Sequence, residues 1–230
     1  MASKLYLDYL AAHVRLSVQL ALSGTSRLHR DALAMPGASC AFTRRFYDAL
    51  CSMPLCRFLQ LGGSDAALAA AALSRNVDVR GTVLRVDGGG VAAGAAAAAT
   101  AAAAFDEELA RHVDTTRCRV LSLRSCWTCT PTELELGAAN VYAFDGGSQS
   151  FESQRNAVLA LLPFLAPHFV YVVHGSTRYA TAKPGAEAGL RDGGVGIADA
   201  FDVAGLCVFV CAKGGGAAAA APAPSPTCEP

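Results

Sequence analysis

The sequence predicts an α/β fold: a small sheet flanked by helices in the C-terminal part, with a mainly helical region ahead of it. Three observations predict this. Residues 169–173 (Phe-Val-Tyr-Val-Val) and 206–211 (Leu-Cys-Val-Phe-Val-Cys) are β-branched and aromatic runs of strand length. Between residues 150 and 165, Phe151, Val158, Leu161 and Leu162 recur at helical spacing behind a third strand at 140–144. Upstream, helical periods dominate residues 3–23 and 41–59.

The first of those two segments spaces Leu5, Tyr9, Leu10, Ala12, Leu16 and Leu20 as an amphipathic helix, ended by Ser23-Gly24. The second spaces Phe42, Phe46, Leu50 and Leu55 as a buried stripe, and Pro54 should kink or split it. Gly62-Gly63-Ser64 then leads into an alanine-rich segment, 65–74, read as a short helix capped by Ser64. Residues 77–86 alternate imperfectly and read as one strand with an irregularity at Gly81. The region 1–90 is thus expected to be mainly helical.

Residues 91–104 form an alanine-rich insert or linker, whose uniform methyl surface offers no chemistry. Residues 105–135 supply a connecting helix, with Asp106 and Glu107 near its favourable N-terminal end, and a strand at 118–123. Over 136–213 the order is strand, helix, strand, short helix, strand, an α/β layer arrangement. The Gly/Ala/Pro-rich residues 214–230 read as a disordered tail.

Nineteen basic residues balance nineteen acidic ones, so no global field favours nucleic acid or membrane. The balance is uneven locally. Residues 1–60 carry seven Lys/Arg against three Asp, a net of plus four, while 136–230 carry five against seven, a net of minus two. Asp8, His13 and Arg15 interrupt the first apolar stretch, so no signal peptide is expected, and the alanine run is too weakly apolar for a membrane span. Nine cysteines, an odd number, fit reduced thiols of an intracellular protein better than a disulfide scaffold.

Residues 141–155, Val-Tyr-Ala-Phe-Asp-Gly-Gly-Ser-Gln-Ser-Phe-Glu-Ser-Gln-Arg, resemble the opening of the serine recombinase (resolvase/invertase) family. Tyr142 and Ala143 match the end of that family's first strand, Gln149 its glutamine, and Ser153, Gln154 and Arg155 the first turns of its helix. Lys183-Pro184-Gly185 resembles the Arg-Pro-Gly that opens a later helix, and residues 206–211 resemble the third strand. The similarity covers about a third of the chain, and the resemblance implies a resolvase-like small sheet flanked by helices over 136–213. An arginine-heavy, alanine-expanded composition also suits a protein of a GC-rich DNA virus such as a poxvirus.

Measured against that family, the chain departs where chemistry is done. Phe144 stands at an arginine position. The nucleophilic serine falls on Gly146 or Gly147, neither of which can attack phosphorus. After the third strand only Lys213 remains of a cationic clamp, a point charge without the bidentate fork of arginine. Ser148 is one residue from Gln149, but nothing near it in sequence activates it, and a capping role accounts for it. The resemblance therefore implies an inactive homologue: no enzyme, no catalytic residue and no cofactor. It implies a scaffold or interaction module with a protein partner or self-association, in the cytoplasm or nucleus of an infected cell. The second expectation is a DNA-binding accessory protein, without sequence preference, using the basic N-terminal side; no membrane partner is expected.

Cys126-Trp127-Thr128-Cys129 is the single CxxC. It reads first as unligated thiols, with a structural zinc completed by Cys118 or His112, or a redox dithiol, as the sharper alternatives. No metal is assigned, and Cys126 and Cys129 are the weak candidates. His168 and His174 flank the second apolar strand without a nearby carboxylate and read as hydrogen-bonded strand-edge side chains.

Overall fold

A computed structural model of the chain describes residues 2–23, 41–54, 56–62, 67–73, 80–86, 95–114, 116–123, 139–144, 150–174 and 180–214. The described helices are α1 (Ala2–Ser23), α2 (Ala41–Leu50), α3 (Ala67–Leu73), α4 (Ala95–His112), α5 (Phe151–Leu161) and α6 (Ala182–Asp192). The strands are β1 (Arg57–Leu61), β2 (Arg80–Val86), β3 (Cys118–Leu123), β4 (Ala139–Phe144), β5 (Leu165–His174), β6 (Val195–Val203) and β7 (Leu206–Lys213).

All seven strands join one sheet in the order β3-β2-β1-β4-β5-β7-β6. The first five run parallel, and β7 runs antiparallel to both β5 and β6. Parallel neighbours need a crossover, and the crossovers cover both faces. Helices α3 and α4 share one core cluster with α1 and α2; α5 and α6 share the other. Strand β5 shows why its sequence reads as an unbroken apolar run. Val170 and Val172 enter the first cluster while Phe169, Tyr171 and Val173 enter the second, so both faces are dry. The β6–β7 hairpin closes on Ala204 and Gly205, both at positive φ (50° and 78°), as a two-residue turn of the right twist for a hairpin requires.

This architecture corrects the expected fold class. The sheet is not a small resolvase-like one confined to the C-terminal part: β1 and β2, from the region expected to be mainly helical, belong to it. Residues 57–59, assigned from sequence to the end of a helix, belong instead to β1 at the centre of the sheet, flanked by β2 and β4. The physical reason is burial on both faces. In Arg-Phe-Leu-Gln-Leu only Arg57 is exposed, so the strand shows no alternation and its spacing could pass for a helical stripe. Helix α2 stops at Leu50, ahead of Pro54, and the alanine tract joins the expected 105–113 helix in one helix, α4.

Candidate functional site

The strand order reverses between β1 and β4. From β1 the chain crosses to β2 on one side, from β4 to β5 on the other, and the two sets of crossover helices lie on opposite faces. At such a switch point the connections part beyond the carboxyl ends of the strands and leave a crevice where ligands bind.

Gly62, Gln60 and His174 frame it among the described residues. Leu61, Phe144 and Val173 form one cross-strand row, so Gly62 and His174 each stand one residue beyond the row, on either side of the end of β4. Two strand spacings set them about 10 Å apart. Gly62 is buried at φ +79°, a conformation that favours glycine, and its N–H donates to the Leu84 carbonyl at 2.9 Å. Gln60 is wholly buried one residue pair back; its Nε2 donates to the Gly62 carbonyl at 3.0 Å. Its Oε1 has no hydrogen-bond partner among the described residues. A buried amide acceptor left open costs about 1–3 kcal/mol, so this oxygen is a place for a donor from a ligand.

On the far side, His174 lies against α2. Its Nε2 is 2.8 Å from the hydroxyl of Tyr47, whose ring stacks on the imidazole and meets Phe58 edge-on. Burial without a facing carboxylate pushes the imidazole pKa down to about 3, so the ring is neutral at physiological pH.

The residues singled out from sequence do not gather here as a unit. Tyr142 and Phe144 lie on β4, paired with Leu59 and Tyr171 and with Leu61 and Val173. Gly146, Gly147, Ser148 and Gln149 lie outside the described residues, as do Cys126 and Cys129. Ser150 caps α5 by accepting from the Ser153 N–H at 3.2 Å, and Arg155 pairs with Asp192 at 2.6 Å. Lys183 pairs with Asp202 at 2.6 Å, while Pro184 and Gly185 sit in the first turns of α6, Gly185 against the backbone of Phe151. Lys213 ends the antiparallel β7 and donates to the Leu165 carbonyl at the amino end of β5. The end of β4 pairs with the other end of β5, at Val173, roughly 25 Å away at the usual rise per residue. Lys213 therefore cannot share a phosphate site with the β4 exit. Among the described residues, no group of three or more His, Cys, Asp or Glu side chains could hold a metal ion.

Tyr47, Gln60 and Gly62 were not singled out from sequence, and His174 was given no role. A signal was present for two of them. Phe58-Leu59-Gln60-Leu61 runs directly into Gly62-Gly63 and then an alanine helix, and the next strand, ending at Val86, is followed by Asp87. A strand, a glycine pair, a helix and a second strand followed by an acidic residue is the order of a βαβ unit, although the full G-x-G-x-x-G spacing of a dinucleotide fingerprint is absent.

No family model matches the chain, and no curated protein matches it in sequence. Solved structures do match. TrmN from Thermus thermophilus superposes with a TM-score of 0.52 at 14% identity, covering 80% of this chain and 52% of its own. An O-methyltransferase family protein from Burkholderia thailandensis gives 0.50 at 12% identity, covering 91% of this chain and 59% of its own. The chain thus spans between half and three fifths of the length of these two proteins. The fold is the Rossmann-like architecture of methyltransferases.

The serine recombinase resemblance is overturned by this match and by the sheet order. Residues 141–144 belong to a strand of a larger, mostly parallel sheet, and 151–155 to a helix that packs on that sheet, and the likeness to a recombinase opening is local. With that template go the inferences drawn from it: the poxviral attribution, the inactive homologue, the scaffold and the DNA-binding accessory role. Phe144, Gly146 and Gly147 were counted as losses only against a recombinase pattern, so they say nothing against enzymatic activity on this fold.

Proposed function

We propose that the chain is a methyltransferase domain that binds S-adenosylmethionine at the carboxyl ends of β1, β2 and β4. The observation that carries the reading is the strand order with its antiparallel β7, which places the switch point beside Gly62. The residues present fit the cofactor. Gly62 keeps side-chain bulk out of the turn after β1, and the open Oε1 of Gln60 would accept from the ammonium of the methionine moiety. Asp87, next in the chain after β2, is the carboxylate that would accept from the ribose hydroxyls. When bound, the cofactor supplies a methyl group on a positively charged sulfur to an acceptor's lone pair. The chain's own part is to orient the two and to keep the acceptor's surroundings dry and uncharged, as the neutral His174 does at the end of β5.

Equilibrium titration of S-adenosylmethionine into the full chain tests this. Saturable binding is expected, and Asp87→Ala should weaken it about 10- to 100-fold, the loss of charge-assisted hydrogen bonds. Absence of binding to the unaltered chain at millimolar cofactor, or binding indifferent to both Asp87→Ala and Gln60→Leu, would overturn the assignment.

A further inference from the structure

Helix α1 carries two apolar faces, and among the described residues only one of them is packed into the core. Leu10, Val14, Ser17 and Ala21 are buried against the sheet and α2. Most of the residues whose spacing marks the helix as amphipathic lie on the other side: Leu5, Tyr9, Leu16 and Leu20 are 68%, 45%, 50% and 53% exposed. Together with the exposed Ala12 they follow one another at intervals of three or four, a continuous stripe about 22 Å long. The helix that presents it is fixed in place. Arg15 makes two bonds to Asp199 at 2.9 and 3.0 Å and lies over the Phe201 ring, His13 bonds the Leu50 carbonyl, and Ser3 bonds His168.

We propose that this stripe is the dimer interface, covered by α1 of a second copy of the chain running antiparallel. The order of residues argues for that occupant. Read about a two-fold axis between Ala12 and His13, the stripe is nearly palindromic: Leu5 meets Leu20 of the second copy, Tyr9 meets Leu16, and the small Ala12 lies within a residue's rise of its own copy where the helices come closest. Such a self-complementary patch is what an isologous interface requires. The flanking charges agree with the direction. Asp8 and Arg15 are seven residues apart, on one flank of the stripe, so antiparallel pairing brings each Asp8 to within about one turn of the other copy's Arg15. Parallel pairing about a two-fold axis would put the two Asp8–Arg15 flanks on opposite sides of the seam, out of each other's reach. Arg15 spends only part of its donor fork on Asp199 and stays 63% exposed, leaving N–H groups for a second carboxylate. The inference does not depend on the methyl-transfer reading.

Sedimentation equilibrium and cysteine crosslinking of the full chain test it together. The unaltered chain is expected to be a dimer at micromolar concentration; Leu16→Glu, an exposed position, should raise the dissociation constant more than about 100-fold and Asp8→Arg about tenfold, with helicity unchanged. Under mild oxidation Ala12→Cys should form a covalent dimer above the level of the unaltered chain. Leu5→Cys alone should not, whereas a mixture of Leu5→Cys and Leu20→Cys chains should join as mixed dimers. A monomer across the concentration range, a dimer indifferent to Leu16→Glu, or self-crosslinking of Leu5→Cys in place of Ala12→Cys would each overturn the proposal, and the crosslinks decide it even if Leu16→Glu fails to fold.

Discussion

Helices α3 and α6 both lie close to their neighbours through small residues, but the glycines at the two contacts meet different things. In the first half of the sheet α3 is Ala-Leu-Ala-Ala-Ala-Ala-Leu, and Leu68 and Leu73 set its distance from the strands. A methyl group added at Gly81 of β2 would meet only the end of a side chain, Leu73 Cδ1 at 2.8 Å. In the second half α6 packs on α5, and a methyl group at Gly185 would meet backbone, with Phe151 Cα at 2.8 Å. At Gly189 it would meet the Arg155 carbonyl at 2.7 Å and Val158 Cβ at 2.8 Å. Small residues thus serve two purposes on one sheet. On the alanine side they leave leucines to set the spacing, which can adjust; between α5 and α6 they let two backbones touch, which cannot.

The largest effect expected from this difference is at Gly185. Alanine there gains about 1 kcal/mol of helix propensity. Pushing two helix backbones apart costs more, since overpacking of a close contact runs to about 1–3 kcal/mol and here no side chain can turn away. Gly185→Ala should lower stability in urea denaturation by about 1–2 kcal/mol, and Gly189→Ala by somewhat less. Unchanged or raised stability at both positions would show that α5 and α6 have slack, and the contrast with α3 would collapse.

A smaller effect separates the two buried polar groups at the carboxyl edge. Gln60 of β1 does not titrate; His174 of β5 does. Its folded-state pKa, about 3, lies below the unfolded value near 6.5 because burial disfavours the imidazolium. The sign follows from that order. The neutral ring is favoured in the folded chain, so its contribution is complete above the unfolded pKa and is lost as pH falls below it, continuing down towards 3. Between pH 7.5 and 5 the loss should approach about 2 kcal/mol. His174→Gln, which keeps a hydrogen-bonding partner for Tyr47 and removes the titration, should flatten the stability profile over this window by about one proton. A profile identical to that of the unaltered chain would mean that His174 is hydrated.

The second half of the fold was more legible in sequence than the first, for reasons visible in particular residues. Strand β7 and the core of β5 are long β-branched and aromatic runs, and α5 begins at a serine cap and ends before Pro163, so their types read directly. Strand β1 is five residues with a glutamine among them and follows a real helix across Pro54, which also allows a kink within one longer helix, so it was absorbed into that helix. The loss of β1 hid the site, because the switch point exists only once β1 is placed beside β4. Helix α1 reads as a helix, but its spacing does not name the buried face: Leu5, Tyr9, Leu16 and Leu20 of the apolar set stay exposed, while Leu10 of that set enters the core with Val14 and Ala21. Periodicity alone cannot say which of two apolar faces turns inward. The Tyr47–His174 contact joins residues 127 positions apart and left no local trace.

The smallest effect is expected at Gly81, and it closes the comparison. A methyl group there favours the extended backbone of β2 by reducing the freedom of the unfolded chain, worth about 0.4–1 kcal/mol. Against it stands the shift demanded of the Leu73 side chain, which is fully buried and must move by a few tenths of an ångström. These should nearly cancel, leaving Gly81→Ala within about 0.5 kcal/mol of the unaltered chain. The second substitution Leu73→Val removes the obstructing methyl, so in a double-mutant cycle Gly81→Ala should cost less in that background, or stabilise. No analogous partner exists for Gly185→Ala, because Phe151 opposes it with backbone that every residue shares. If Leu73→Val fails to relieve Gly81→Ala, the strand under α3 is held as rigidly as the α5–α6 contact, and the adjustable spacing assigned to the alanine-rich half is wrong.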